Sequence, residues 1–240
     1  MLRTDGRSWD EARPTTITPN YQQFAEGSAM IEVGRTKVLC AASLEERVPP
    51  FLRGQGKGWV TAEYSMLPRS TTTRTARERE TGRISGRSQE IQRLIGRALR
   101  AVTDLEALGE RTVQVDCDVL QADGGTRTAA ITGSYVALYQ ALKMLVDQRL
   151  LPKVPLRDAV AAISIGLLDG QLMLDLCYEE DYRAQVDFNL VLTQGGDLVE
   201  LQGATEAAPF SPHCVPDVLE LAARGMAPLF AAQQEAISRL

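Results

Sequence analysis

Two hydrophobic periods alternate along the chain. Val113, Val115, Cys117 and Val119 are interleaved with Gln114, Asp116 and Asp118, the two-residue period of a half-buried strand. Ile91, Leu94, Ile95, Ala98, Leu99 and Val102 instead follow the 3.6-residue period of an amphipathic helix, with Arg93, Arg97 and Arg100 on the opposite face. Arg87 lies one turn before Ile91 and continues the apolar stripe. Its charge is therefore expected to aim inward and to need a partner, either a carboxylate or a bound anion.

The same patterning orders the rest of the chain. Residues 15–33 hold extended segments, Gly34-Arg35-Thr36 turns into an apolar strand over Val38–Ala42, and Val60–Tyr64 is another strand. Pro49-Pro50 and Gly54–Gly58 mark a flexible loop. Residues 69–86, rich in Arg and Thr, predict an exposed and mobile excursion. After a connector over Leu150–Pro155, a strand over 159–168 turns at Asp169-Gly170 into Leu172–Tyr178, with a type I′ hairpin signal. A second hairpin over 186–193 and 197–203 turns about Gly195-Gly196, and Pro216 opens a final helix. Two blocks of strands followed by helices predict an α+β fold with approximate internal duplication. No linker is long enough to separate two domains, so residues 1–240 read as one domain.

The strand at 113–119 breaks at Gly124-Gly125 and enters an Ala-rich helix at about Thr126. A strand, a glycine turn and a helix start gather free backbone N–H groups at one point. The helix dipole and the Arg127 guanidinium add positive charge there, which suits a phosphate or another oxyanion. The plain alternative is a turn that only connects two elements. No G-x-G-x-x-G or G-x-x-x-x-G-K motif follows a strand.

The composition, 44% apolar and 24% charged over 240 residues, is ordinary for a soluble globular protein. The net charge of −5 does not suggest a nucleic-acid binder, but its distribution does. Nine arginines and three acids lie between Arg69 and Arg100, a surplus of six that leaves −11 on the remainder. A basic patch of arginines without lysines favours phosphate recognition, against the alternative of a solvated loop. Cys40, Cys117, Cys177 and Cys214 have no C-x-x-C spacing and read as reduced thiols of a cytoplasmic protein. The single histidine, His213, sits between Pro212 and Cys214 as a bystander, which argues against a His-based zinc site or a Ser-His-Asp triad. No signal peptide or membrane-spanning run is visible.

Asp187 interrupts an apolar strand entry made by Val186, Phe188 and Leu190. Buried carboxylates are rare unless paired or used. Asp181 lies six residues earlier, roughly 20 Å away along a straight strand at ~3.3 Å per residue. The two can share a site only if residues 182–185 turn back. Together beside a phosphate site they would suit a hard cation such as Mg²⁺, or general acid chemistry; otherwise they form an acidic surface turn.

With these motifs the chain resembles the ribonuclease PH family, phosphate-dependent 3′-exoribonucleases that trim tRNA precursors. The resemblance spans nearly the whole chain. It is carried by Arg3–Arg7, Gly54–Trp59, Glu63–Ser70, Gly86–Arg97 and Asp116–Thr128. It implies ribosomal protein S5 domain 2-like βα repeats, with mixed sheets packed against helices, and a homohexameric ring built as a trimer of dimers. It implies inorganic phosphate held at Arg87, Gly125, Thr126 and Arg127, a catalytic and Mg²⁺-binding acidic pair at Asp181 and Asp187, and an RNA strand held by Arg69, Arg74 and Arg77. Three departures stand near the site. Tyr182 and Phe188 replace the usual Ser and Met, and Gly203-Ala204-Thr205-Glu206-Ala207 replaces Gly-Thr-Ala-Glu-Gly. Two rival readings are a non-catalytic RNA-binding subunit of an exosome-like ring, which would be expected to lose Arg127 or one Asp, and a phosphate-binding enzyme acting on a small nucleoside, which would not need the arginine surplus.

Overall fold

Alternating Val, Ala and Cys side chains build a first sheet, and one long helix joins it to a second. The computed structural model describes residues 3, 5–78, 82, 84–205 and 208–240. Arg79, Glu80 and Arg83 of the arginine-rich segment, and Glu206-Ala207, lie outside the described residues. The first sheet contains β1 (Thr15–Pro19), β2 (Gly27–Val33), β3 (Thr36–Glu45), β4 (Trp59–Met66) and β5 (Thr112–Gln121), in spatial order β1-β2-β3-β5-β4. β4 and β5 pair in parallel, so the chain between them crosses over through α1 (Gly86–Val102) and the short α2 (Leu105–Leu108). The second sheet holds β6 (Val160–Leu168), β7 (Gln171–Leu174), β8 (Val186–Thr193) and β9 (Leu198–Thr205), in order β7-β6-β8-β9 and antiparallel throughout.

The helix α3 (Thr126–Asp147) lies between the two sheets. It packs on β2 and β3 on one side and on β6 on the other. Its apolar residues are accordingly buried around the helix, with Ile131, Val136, Leu138, Ala141 and Leu142 all inaccessible to solvent. Gly133 lies where α3 meets β2; a Cβ there would come within 2.6 Å of Ile31 Cγ2. α5 (Val215–Ile237) covers β6 and touches β1; the main apolar core runs through both sheets and the helices, and Leu168, Met173 and Leu176 form a small second cluster. Gln233 of α5 ties the layers by donating to the carbonyls of Thr132 and Val160, both at 2.9 Å.

Most predicted elements form where the periods place them, and three differences carry physical causes. The Asp169-Gly170 turn has positive φ at both residues, 50° and 80°, as a type I′ hairpin requires. The strand expected to reach Tyr178 stops at Leu174, because Asp175 takes φ 51° and turns its carboxylate to Arg13; Tyr178 instead opens the one-turn helix α4 (Tyr178–Asp181). The described residues 69–78 of the 69–86 excursion are anchored: Ser70 is buried, its carbonyl accepts from Ala122 N at 2.8 Å, and Thr75 N donates to Pro68 O at 2.9 Å. Arg100 does not lie on a solvated face. It is half-buried, donates to Val60 O at 2.7 Å and stacks 4.2 Å from the Trp59 ring centroid.

Candidate active site

The Gly124-Gly125 turn begins the site. Both glycines take left-handed φ, 74° and 62°. A Cβ on Gly124 would stand 2.4 Å from Leu176 O, so the turn needs glycine both for its dihedrals and for contact with the second half of the chain. Gly125 is the N-cap of α3 and supplies no side-chain cap. The first N–H groups of a 22-residue helix therefore open toward a cleft of about 420 Å³. Thr128 Oγ1 donates to Gly125 O, and Thr126 Oγ1 shares a 2.8 Å hydrogen bond with the buried Tyr64 hydroxyl.

Three residues of the N-terminal half lock the turn. Arg13 grips Asp175 through Nη2 to Oδ1 at 2.6 Å and Nε to Oδ2 at 2.9 Å, and donates through Nη1 to Asp123 O at 2.6 Å. Thr36 Oγ1 donates to Gly124 O at 2.7 Å, and Arg35 pairs with the Asp123 carboxylate at 2.9 Å. Asp123 Oδ1 in turn accepts from Tyr178 N, which links the turn to the first residue of α4.

Cleft walls bring together Arg87, Gly125, Thr126, Arg127, Asp181 and Asp187. Residues 182–185 do turn back: Arg183 N bonds Glu180 O, Ala184 N bonds Asp181 O, and β8 then begins at Val186. Asp187 lies opposite Gly166 on β6, while Val186, Phe188 and Leu190 point into the core. Phe188 packs edge-on against Phe210, at 5.1 Å between centroids. Burial raises the Asp187 carboxyl pKa, and the neighbouring Asp181 charge raises it further, against a 2.9 Å hydrogen bond from Asn189 and the charges of Arg127 and Arg87. Desolvation within the cleft wall also raises Asp181, against Arg87, Arg127 and Arg13.

Arg87 corrects the expectation of an inward-facing charge. Ser88 takes the buried position, and Arg87 is exposed to the cleft with no hydrogen bond or ion pair to a described residue. Arg127 has only distant partners, Glu90 at 3.7 Å and Gln202 at 3.5 Å. Both guanidiniums are thus open to an anion. Arg69, Arg74 and Arg77 are exposed and do not line this cleft. Arg69 donates to Thr72 O, while Thr71, Thr72, Thr73 and Thr75 of the same loop line the cleft. Arg77 lies over the outer face of the first sheet, where its charge acts on Asp118.

Sequence periodicity gave no warning of Tyr64, Asn189 or the Arg13–Asp175 lock. Asn189 shares a strand face with Asp187, the one local signal that could have found it.

Domain 1 of the 3′ exoribonuclease family matches residues 11–143, and domain 2 of that family matches residues 158–225. The chain belongs to the ribonuclease PH family. It is 57% identical over 234 residues to ribonuclease PH of Dehalococcoides mccartyi strain BAV1, covering 98% of this chain and 97% of that protein. It is 56% identical over 237 residues to ribonuclease PH of Moorella thermoacetica, covering 99% and 95%. Its fold matches the Archaeoglobus fulgidus exosome with RNA bound to the active site at TM-score 0.79, with 21% identity over 99% of this chain and 92% of that one. An archaeal exosome core matches at TM-score 0.75, with 20% identity over 98% and 90%. Both family domains are present, and α3 begins in the first and packs on the strands of both sheets.

Proposed function

We propose that this chain is a phosphorolytic 3′-to-5′ exoribonuclease that trims the 3′ end of tRNA precursors. The observation that carries the reading is the two-sided cleft, with two open guanidiniums and a helix N-terminus facing two carboxylates of raised pKa. A charge-poor wall would suit neither phosphate nor a leaving alkoxide.

Arg87, Arg127 and the N–H groups at Gly125 and Thr126 hold inorganic phosphate and offset its repulsion from the RNA end. A phosphate oxygen attacks the phosphorus of the terminal 3′,5′-linkage, and the new P–O bond replaces the bond to the 3′ oxygen of the penultimate nucleotide. A nucleoside diphosphate leaves. Asp187, whose pKa is raised by burial and by the neighbouring Asp181 charge, delivers a proton to the departing 3′ oxygen. The reverse reaction adds nucleotides from diphosphates.

Two mutually repelling carboxylates beside a phosphate site form a donor set that fits Mg²⁺, which is typically bound through one or two carboxylates and substrate phosphates. Asp181 and Asp187 would hold it, and it would neutralise charge developing on the transferred phosphoryl group. Arg69, Arg74 and Arg77 hold the RNA strand upstream of the cleft. Residues 1–240 act as one domain in this reading, supported by the core continuous across α3. The active form is a homohexamer, a trimer of dimers, and it works in the cytoplasm, in keeping with four free cysteines. Among the described residues no helix is long and apolar enough to cross a membrane. Phosphate-dependent release of nucleoside diphosphate from a short RNA tests the reaction. Sedimentation of the native protein tests the assembly.

A further inference from the structure

We propose that Tyr178 and Tyr182 form a stacking platform for a nucleobase at the 3′ end of the RNA, one of the last two. The proposal rests on the phosphorolytic reading of the same cleft and adds a base-binding wall to it. Among the described residues lining the cleft, Tyr178 is the one aromatic, with Arg87, Gly125 and Asp181 in the same lining. The two tyrosines are spaced i, i+4 across the single turn of α4, so their rings share a face. The centroids lie 6.4 Å apart with planes tilted by 32°. Their exposures are 60% and 82%, and neither hydroxyl has a hydrogen-bond partner among the described residues.

Two solvent-facing aromatic rings at the rim of a phosphate site match the way single strands are bound, with charge tracking the backbone and flat rings meeting the bases. The turn that carries the rings is anchored by buried contacts. Glu180, between the tyrosines, is buried against Arg3, and its carboxylate accepts from Cys177 N at 3.0 Å. Tyr178 N is tied to Asp123. Little backbone freedom is then given up when a base docks. Arginines and glycines of the cleft recognise phosphate but offer no broad apolar face, so the rings supply what the rest of the lining lacks.

The test uses the full-length protein and three short RNAs, identical except for two terminal adenosines, uridines or dihydrouridines. Dihydrouridine keeps the hydrogen-bonding edge of uridine but has a puckered ring that cannot stack. For the unmodified protein, KM for RNA should rise from adenosine to uridine to dihydrouridine ends. In Tyr178→Ala and Tyr182→Ala that spread should collapse by about fivefold or more, with KM for phosphate unchanged, and Tyr178→Phe should retain it. An alanine variant that keeps the full spread overturns the proposal. So does a variant that slows all three RNAs equally and changes the sedimenting mass, which would assign the rings to a contact between copies. If the unmodified protein releases no nucleoside diphosphate, the phosphorolytic reading fails; the same base-dependent spread in fluorescence anisotropy without phosphate would then still support the platform, and its absence would end it.

Discussion

Arg3 and Glu180 stand 177 residues apart in sequence and meet in a two-pronged ion pair, Nε to Oε1 at 2.8 Å and Nη2 to Oε2 at 2.7 Å. Both side chains are almost fully buried, and Arg3 also donates to the carbonyls of Leu174 and Asp175. The pair fastens the start of the chain to α4, whose next residue is Asp181. Glu180→Ala leaves a guanidinium buried without its carboxylate, which typically costs about 3–5 kcal/mol. A large fall in melting temperature should follow, with kcat falling more than KM for phosphate changes. Glu180→Ala with unchanged melting temperature would remove the clamp.

The clamp also sets a pH dependence. Burial pushes the Glu180 carboxyl up, but hydrogen bonds from Arg3 and from Cys177 N, with the charges of Arg3 and Arg7, outweigh it and hold the pKa below the ordinary value. A depressed carboxylate stabilises the fold above its unfolded pKa of about 4.3, and that stability is lost as pH falls through the lower folded value. Acid unfolding of Glu180→Gln should accordingly show a weaker dependence on pH in this window than the unmodified protein.

The elements and half of the site were legible because they rest on local rules. Alternation located the strands, the 3.6 period located α1, and the Gly124-Gly125 break located the α3 N-terminus. The rest does not follow from a local period. That Asp181 and Asp187 share a cleft depends on the turn at residues 182–185 and on the Arg3 anchor, neither of which has a periodic signature. Arg87 sat on the apolar stripe of its helix, but a first-turn residue has no preceding turn to pack on, and it opens to the cleft instead.

Arg127 should govern phosphate affinity. Its weak pairing with Glu90 and Gln202 leaves the guanidinium available. Arg127→Ala removes a charge-assisted hydrogen bond of about 1.5–3 kcal/mol, a rise in KM for phosphate of about ten- to a hundredfold. RNA affinity measured without phosphate should change little. Unaltered phosphate saturation would displace the cradle from this position.

Alanine at Arg69, Arg74 and Arg77 should weaken tRNA binding and lower the slope of log affinity against log salt by about 0.7–0.9 for each RNA phosphate no longer neutralised. Arg77 should contribute least, because Asp118 already lies within reach of its charge. A very short oligonucleotide should be degraded at a rate closer to normal. Equal impairment on both substrates would assign these arginines to folding or assembly.

The carboxylate pair should shape the pH profile of kcat. The Asp181 charge helps to raise Asp187, so Asp181→Asn should lower the Asp187 pKa. If Asp187 acts as the acid, the limb where activity falls with rising pH should move to lower pH in that variant. A limb that stays in place would separate the two residues functionally.

Product identity tests the central claim most directly. A short RNA is incubated with the protein, with and without inorganic phosphate, and the released nucleotides are separated. The account predicts nucleoside diphosphate, formed only with phosphate, and a fall of about 10²-fold or more in Asp187→Asn with phosphate and RNA affinities nearly unchanged. Nucleoside monophosphate released without phosphate, or full per-molecule activity in an Asp187→Asn protein of reduced melting temperature, would contradict it.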